Sequence, residues 1–253
     1  MDMPINHFKH AIQSGQKQIG LWSHLCSHLS TEILADSGFD WLLLDMEHSP
    51  NELPELLSQL QAMKGTKASA IVRPPWNDMV VFKRLLDIGV MTLLVPYVQT
   101  EEEARNAVAY TRYPPHGVRG FAGAPRASGY GRVKDYAHRC GEEICVLVQV
   151  ETVLGLQNLE AIANVDGIDG VFIGPGDLSA ALGHLGNPKH PEVLAAIDDA
   201  IARIRACGKA PGILTGDESL ARHYLAQGCL FVAVGADQNL LRDSAQALAG
   251  RFK

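Results

Sequence analysis

Short apolar runs alternate along the chain with segments of helical periodicity. Eight runs rich in branched and aromatic residues occur at residues 19–22, 41–45, 68–73, 92–98, 144–151, 170–174, 210–214 and 231–235. Strands covered on both faces have nearly continuous apolar sequences, so these runs predict parallel strands buried within a sheet. Between them, apolar residues recur at helical spacing, for example Leu53, Leu56, Leu57 and Leu60.

Strands that alternate with helices predict βαβ units and an α/β protein. The alternatives are an open doubly wound sheet and a closed (β/α)8 TIM barrel. Eight units favour closure, and the glycine fingerprint of a dinucleotide site is missing after the first run, where WSHLCSHLS stands. The length of 253 residues suits one barrel, and no linker divides the chain, so we expect a single domain over 1–253.

Composition narrows the classes of function. The formal net charge of −6 argues against a nucleic-acid partner. The sequence contains no run of 18 apolar residues, so we expect no membrane span. The first residues lack the apolar core of a signal peptide, and the five cysteines form no CxxC pair. We therefore expect a cytoplasmic protein with reduced thiols that acts on small molecules.

One long irregular stretch, residues 111–141, holds six glycines, three prolines and five arginines. A loop of this length in a compact domain is usually functional or disordered. We expect a substrate-covering loop or a subunit contact, with a solvated loop as the alternative.

Polar residues fall at the carboxyl ends of several predicted strands, the end at which barrel enzymes carry their active sites. Glu151 and Asp177 follow neighbouring strands. Two close carboxylates repel unless a cation lies between them, and a hard divalent ion prefers such oxygen ligands. The alternative is that each residue caps a helix or turn. Taken together, the pair favours a metal site.

Three further residues lie at the same rim. Asp45 ends the second run and His48 follows it, so the carboxylate could fix the imidazole tautomer and make it a general base. Taken alone, His48 is as well explained as a polar loop residue. Arg73 offers a forked donor to a carboxylate or an enolate oxygen, or forms a salt bridge to Asp45 or Asp87.

No lysine lies at the carboxyl end of a predicted strand, which excludes a Schiff-base aldolase and leaves a metal as the electron sink. No motif for an organic cofactor is present.

Four motifs occur in this order: WLLLDMEHSPNE, IVRPPWND, LVQVET and FIGPGDLSAALG. With these motifs the chain resembles the HpcH/HpaI aldolase family over essentially its whole length. The resemblance implies a metal-dependent class II aldolase, a carbon–carbon lyase. Such an enzyme adds pyruvate or a close 2-oxo acid reversibly to an aldehyde and gives a 4-hydroxy-2-oxo acid.

The resemblance also implies roles for single residues. Glu151 and Asp177 would bind Mg²⁺, Mn²⁺ or Co²⁺, His48 and Asp45 would form the base dyad, and Arg73 would contact the keto or enolate oxygen. The implied substrate-binding residues are Gln149, Pro175, Gly176, Leu214 and Trp22. The implied assembly is a homohexamer, a trimer of dimers, with the C-terminal helix at about 238–250 packed on a neighbouring subunit.

The chain departs from the family pattern after its first strand, where His24 and His28 replace the more usual uncharged residues. Because these positions border the expected aldehyde pocket, the identity of the acceptor aldehyde stays open. Two other functions stay open as well. One is a CoA-thioester lyase of the citrate lyase β-chain type, with a basic rim supplied by Arg112, Arg119, Arg126 and Arg132. The other is a non-catalytic barrel that binds a keto acid.

Overall fold

The computed structural model describes all residues 1–253 and shows a closed barrel of eight parallel strands. Each strand pairs with the next one along the chain, and the first pairs with the last. The predicted (β/α)8 fold is confirmed. The strands are β1 Gln18–Ser23, β2 Trp41–Asp45, β3 Ser69–Arg73, β4 Thr92–Val95, β5 Cys145–Val150, β6 Gly170–Ile173, β7 Ala210–Leu214 and β8 Phe231–Ala236.

Helices surround the barrel, and one precedes the first strand. They are α1 His7–Gln13, α2 His28–Ala35, α3 Leu53–Ala62, α4 Met79–Asp87, α5 Glu101–Thr111, α6 Tyr136–Glu143, α7 Val153–Gln157, α8 Leu159–Ala163, α9 Pro175–Ala181, α10 Pro191–Ala206, α11 Glu218–Gln227 and α12 Asp237–Gly250. None of them is both long and apolar enough to span a bilayer.

The fourth apolar run, 92–98, forms a strand only as far as Val95. Pro96 lacks the N–H that a ladder needs, and Tyr97 takes a left-handed backbone conformation with φ of 57°. The chain therefore turns at the rim. This turn aims the Tyr97 N–H at Glu151, 2.8 Å from its Oε1.

Residues 111–141 are less irregular than predicted, because they end in α6 and contain a short 3-10 helix at Arg126–Ser128. Arg119 anchors the segment: its buried guanidinium donates to Asp87 at 2.9 Å and lies 4.5 Å from the centroid of the Tyr113 ring. A charge-assisted bond and a cation–π contact together order this part of the loop.

The amino end of the barrel is closed by packed aromatic rings. Phe8 from α1 meets Trp41 and Phe231 edge to face, with centroids 6.1 and 5.7 Å away. Gly20 and Gly212 make room for these rings, because a Cβ at either position would lie within 2.2 Å of the Trp41 or Phe231 ring. The helix that closes the base is thus fixed by the barrel interior.

Phe8→Ala should lower the free energy of unfolding by about 3–5 kcal/mol, because it leaves a cavity between two aromatic rings. Denaturant unfolding followed by circular dichroism measures this loss. The control is Phe252→Ala, since Phe252 is 85% exposed and should cost almost nothing. Equal losses in both variants would show that α1 does not close the barrel.

Candidate active site at the carboxyl rim of the barrel

A buried ion pair joins the ends of two neighbouring strands. Asp45 and Arg73 are register partners in the β2–β3 ladder. Arg73 donates from Nε to Oδ1 of Asp45 at 2.8 Å and from Nη2 to Oδ2 at 2.6 Å. Burial acts to raise the pKa of Asp45, but the hydrogen bonds and charge of Arg73 hold it below its usual value. Asp45 is therefore a fixed anion, and one of the sequence alternatives for Arg73, a salt bridge to Asp45, is present.

Asp45 has further donors around it. The indole Nε1 of buried Trp22 lies 3.3 Å from Oδ2, and the backbone N–H of Glu47 donates to Oδ1 at 3.0 Å. The Arg73 guanidinium also lies 5.0 Å from the centroid of the Trp22 ring. The structure thus places Trp22 beneath the ion pair, where it supports both partners.

The ion pair is connected to a second carboxylate. Arg73 Nη1 lies 3.4 Å from Oε1 of Gln149, whose Nε2 donates to Oε2 of Glu151 at 2.7 Å. The other oxygen of Glu151 accepts from Tyr97, so both carboxylate oxygens are oriented. A continuous line of polar contacts therefore runs from β2 through β3 to the end of β5.

Glu151 lies in a crowded acidic environment. Burial raises its pKa to about 7, and the charges of Glu47 and Asp177 add to the shift against the opposing effects of the Tyr97 N–H and Arg73. Gly174 is required beside it, because a Cβ there would lie 2.1 Å from Glu151 Oε2. Asp177 stands exposed in the first turn of α9.

Glu47 was not predicted as a site residue, although it directly precedes His48 at the same rim. Its Oε2 is buried without a hydrogen bond, although Arg73 Nη1 lies 2.8 Å away out of alignment. Burial and the charges of Asp45 and Asp177 raise its pKa, while Arg73 and His48 act to lower it. Its position two residues after a strand-end aspartate was the available signal.

These carboxylates fit a divalent cation. The charges of Glu47 and Asp177 act to raise the pKa of Glu151, and that of Asp177 also acts to raise the pKa of Glu47, while Arg73 is the cation that opposes both shifts. Hard ions such as Mg²⁺ and Mn²⁺ prefer oxygen donors of this kind. An ion held by Glu151 and Asp177 would offset the negative charge of the cluster. It would also offer a positive charge to Oε2 of Glu47, the buried oxygen that has no hydrogen bond.

The structure separates His48 from Asp45. The His48 side chain is 62% exposed, and its Nε2 lies 4.0 Å from Oε2 of Glu47. The imidazole that approaches Asp45 is His24, whose Nδ1 lies 3.4 Å from Oδ2 of Asp45 and 3.0 Å from Oγ of Ser49. Burial lowers the pKa of His24 although Asp45 and Asp237 act to raise it. His24 therefore contributes to the rim an imidazole whose burial favours the uncharged form.

The remaining predicted substrate residues line one cavity of about 460 Å³. Pro175 and Gly176 border it from the start of α9, and Leu214 borders it from the end of β7. Lys189 and Asp217 form an ion pair at its outer edge, 2.5 Å apart. Gly176, one of its lining residues, directly precedes Asp177 in sequence. A separate cavity of about 420 Å³ lies at the opposite end, against Met1 and Met3, and contains none of the predicted site residues.

Residues 18–244 match the sequence model of the HpcH/HpaI aldolase/citrate lyase family. The chain belongs to this family. It is 59% identical over 98% of its length to a 4-hydroxy-2-oxo-heptane-1,7-dioate aldolase of Klebsiella pneumoniae, of which the match covers 94%. A relative of the same name in Salmonella typhi is 57% identical, with the same coverage of both chains.

Solved structures of the HpcH/HpaI family agree. A member from Burkholderia cenocepacia is 39% identical, with a TM-score of 0.94 over 98% of this chain and 100% of its own. A second, from Desulfitobacterium hafniense, is 27% identical with a TM-score of 0.91 over 97% and 96%. The chain is thus a carbon–carbon lyase of the metal-dependent aldolase type, as the sequence predicted.

The free energy of unfolding of the metal-free protein should depend on pH in a way that reveals the burial of Glu151. Its pKa of about 7 in the folded chain exceeds the ordinary value of 4.5, so folding favours the protonated form. The folded state binds more protons than the unfolded state between these values, and stability is lost as pH rises through 7. Between pH 5.5 and pH 8 the wild type should lose about 2 kcal/mol relative to Glu151→Gln.

Denaturant unfolding in EDTA at both pH values measures this difference. Glu160→Gln is the control, because the exposed Glu160 carboxylate is paired with Arg203, which lowers its pKa to about 2. It is ionised throughout the window and should leave the pH dependence unchanged. Parallel profiles for wild type and Glu151→Gln would contradict the assigned environment of Glu151.

Proposed function

We propose that the chain catalyses the reversible aldol addition of pyruvate, or a close 2-oxo acid, to an aldehyde to give a 4-hydroxy-2-oxo acid. The observation that carries the proposal is the line of contacts from Asp45 through Arg73 and Gln149 to Glu151, which ends beside Asp177. It combines fixed positive and negative groups at the rim where barrel enzymes react.

Glu151 and Asp177 are the proposed ligands of the divalent cation, and Mg²⁺, Mn²⁺ and Co²⁺ are the candidates. When bound, the ion would act as a Lewis acid that lowers the pKa of the methyl group beside the keto carbon. Because Gln149 and Tyr97 each donate to one Glu151 oxygen, the carboxylate is oriented before a ligand arrives.

Arg73 is the proposed donor to the keto oxygen. Its Nε and Nη2 are committed to Asp45, while Nη1 makes only the longer contact with Gln149 and a poorly aligned approach to Glu47. Nη1 is therefore the edge available to a substrate. A donor held in place by Asp45 costs little to reorganise as negative charge grows on the oxygen.

His48 is the proposed base. It would take the methyl proton, the resulting carbanion carbon would bond to the aldehyde carbon, and the same proton would return to the alkoxide oxygen. Cleavage is the reverse of these steps. The exposed position of His48 leaves its imidazole open to a substrate, whereas His24 is held by Asp45 and Ser49.

The relatives' name points to the acceptor. Breaking the C3–C4 bond of a 4-hydroxy-2-oxo-heptane-1,7-dioate gives pyruvate and succinic semialdehyde, so we propose this pair as products. The cavity beside Pro175 and Leu214 would take the aldehyde, and its size is compatible with more than one acceptor.

Pyruvate in D2O should lose its methyl proton signal in the NMR spectrum when protein and Mn²⁺ or Mg²⁺ are present, and should keep it with EDTA. His48→Ala should slow this exchange roughly 10²–10⁴-fold if it is the base. Arg73→Lys should slow it as well, because lysine cannot bond to both oxygens of Asp45. The surface variant His223→Ala is the control and should exchange at the wild-type rate.

Two outcomes would change the assignment. Exchange that persists in EDTA or in Glu151→Gln would contradict the metal ligands. A larger loss in His24→Ala than in His48→Ala would move the proton transfer to the imidazole that contacts Asp45.

The CoA-thioester alternative loses two of the four arginines of its proposed rim. Arg119 is buried and bonded to Asp87, and Arg126 donates to the backbone oxygen of Ile88, so neither is free for the phosphates of CoA. The close relatives carry the aldolase name.

We also propose a homohexamer, a trimer of dimers, in which α12 packs on a neighbouring subunit. Every residue of α12 after Asp237 is exposed, including three leucines at 240, 241 and 248. Its first residue is held firmly, because buried Asp237 accepts from the Ser23 hydroxyl and from the backbone N–H of His24. An anchored helix with an uncovered apolar side supports an intersubunit contact.

We further propose a reducing, cytoplasmic location, which the five free cysteines support.

Replacing Leu240 and Leu241 together by glutamate should lower the molar mass in solution, because charge would be buried in the contact. Size-exclusion chromatography with light scattering measures it. Leu185→Glu is the control, since Leu185 is 83% exposed and lies outside α12. A double variant that keeps the wild-type mass would overturn the proposed role of α12.

A further inference from the structure

A compact group of metal-binding side chains lies outside the carboxylate site, on the segment between α9 and α10. Residues 182–190 fold into two consecutive turns: Asn187 N–H donates to His184 O at 2.9 Å, and His190 N–H donates to Asn187 O at 3.1 Å. The left-handed glycines 183 and 186 permit this path. It returns the chain so that the His184 and His190 rings stack 3.5 Å apart, with 17° between their planes.

A carboxylate completes the group. Glu192, in the first turn of α10, places Oε2 2.8 Å from Nε2 of His184, and its own backbone N–H is capped by Nδ1 of His190 at 3.3 Å. One ligand atom from each of the three side chains lies within 4.8 Å of the other two. In a tetrahedral zinc site with bonds of 2.0–2.1 Å, ligand atoms are about 3.3 Å apart. Because an imidazole binds a metal ion in the plane of its ring, one of the two nearly parallel rings must rotate out of the stack on binding, while the exposed Glu192 side chain adjusts by the remaining distance.

The neighbouring cation does not compete for this carboxylate. Lys189, between the two histidines in sequence, is paired with Asp217. Glu192 has His184 as its salt-bridge partner, and the hydrogen bond from that imidazole lowers the pKa of Glu192. The carboxylate is therefore charged and available to a metal ion.

We propose that His184, His190 and Glu192 form a second metal site, specific for a transition-metal ion such as Zn²⁺. Two imidazoles and one carboxylate suit Zn²⁺, Co²⁺ or Ni²⁺, whereas Mg²⁺ prefers oxygen ligands alone and would remain with Glu151 and Asp177. A metal ion bound at Nε2 of His184 would take the place of the hydrogen bond between this nitrogen and Glu192, and the ligating neutral imidazole would carry its proton on Nδ1.

The position of this site gives it a structural consequence. Pro188 and Lys189, which lie between the two histidines, form one wall of the cavity bordered by Pro175, Gly176 and Leu214. An ion bound by His184 and His190 would tie both ends of this wall to α10. Zn²⁺ would thereby stiffen the acceptor cavity without touching the carboxylate site.

The test counts bound Zn²⁺ in a parent variant that lacks the first site, Glu151→Gln, by equilibrium dialysis at micromolar metal followed by elemental analysis. The parent should retain one Zn²⁺ per chain. Adding His184→Ala and His190→Ala should remove it or weaken it at least 100-fold, since even indirect support of a metal ligand is worth about 10–100-fold. Circular dichroism checks that each variant is folded.

The control is His223→Ala in the same parent. His223 is an exposed histidine paired with Asp198 at 2.9 Å, with no third ligand beside it. It should keep the bound Zn²⁺. As a second readout, Zn²⁺ should slow amide hydrogen exchange in residues 182–190 of the parent and not of the double-histidine variant. An unchanged Zn²⁺ count after loss of both histidines, or equal loss in His223→Ala, would overturn the proposal. Neither measurement requires aldolase activity.

Discussion

The buried ion pair of Asp45 and Arg73 is the interaction on which the rest of the rim depends. Two charges removed from water are tolerated only when each satisfies the other, and loss of one partner from such a pair costs about 3–5 kcal/mol. Here the pair joins register partners on β2 and β3, so strand pairing itself brings the charges together. Trp22, Gln149 and, through Gln149, Glu151 all take their positions from it.

The two ends of the barrel use opposite physical chemistry. The amino end is filled by aromatic rings from Phe8, Trp41 and Phe231, which bury apolar surface and fix the strands. The carboxyl rim contains Glu47, Glu151 and Asp177, whose negative charges repel one another. A rigid base allows this unfavourable cluster to persist, and a bound cation would turn its cost into binding energy.

The barrel is common to proteins with different reactions. Structures named as a citrate synthase, SbnG, and as macrophomate synthase are 25% and 26% identical to this chain, with TM-scores of 0.85 and 0.81. A shared fold therefore fixes where chemistry takes place and leaves the acceptor to the rim loops. In this chain the rim carries His24 beside Asp45, and the cavity has the His184–His190 segment next to it.

The sequence by itself determined the eight strands, their closure and the rim on which Asp45, Arg73, Gln149 and Glu151 meet, because burial on both faces and position at a strand end are local properties of the chain. Only the tertiary structure decided which histidine approaches Asp45, that Glu47 joins the carboxylates, and that residues 136–143 form a helix. Those outcomes depend on side-chain directions and on contacts between residues far apart in sequence. Strand register and packing set them, and the sequence pattern of one segment does not record them.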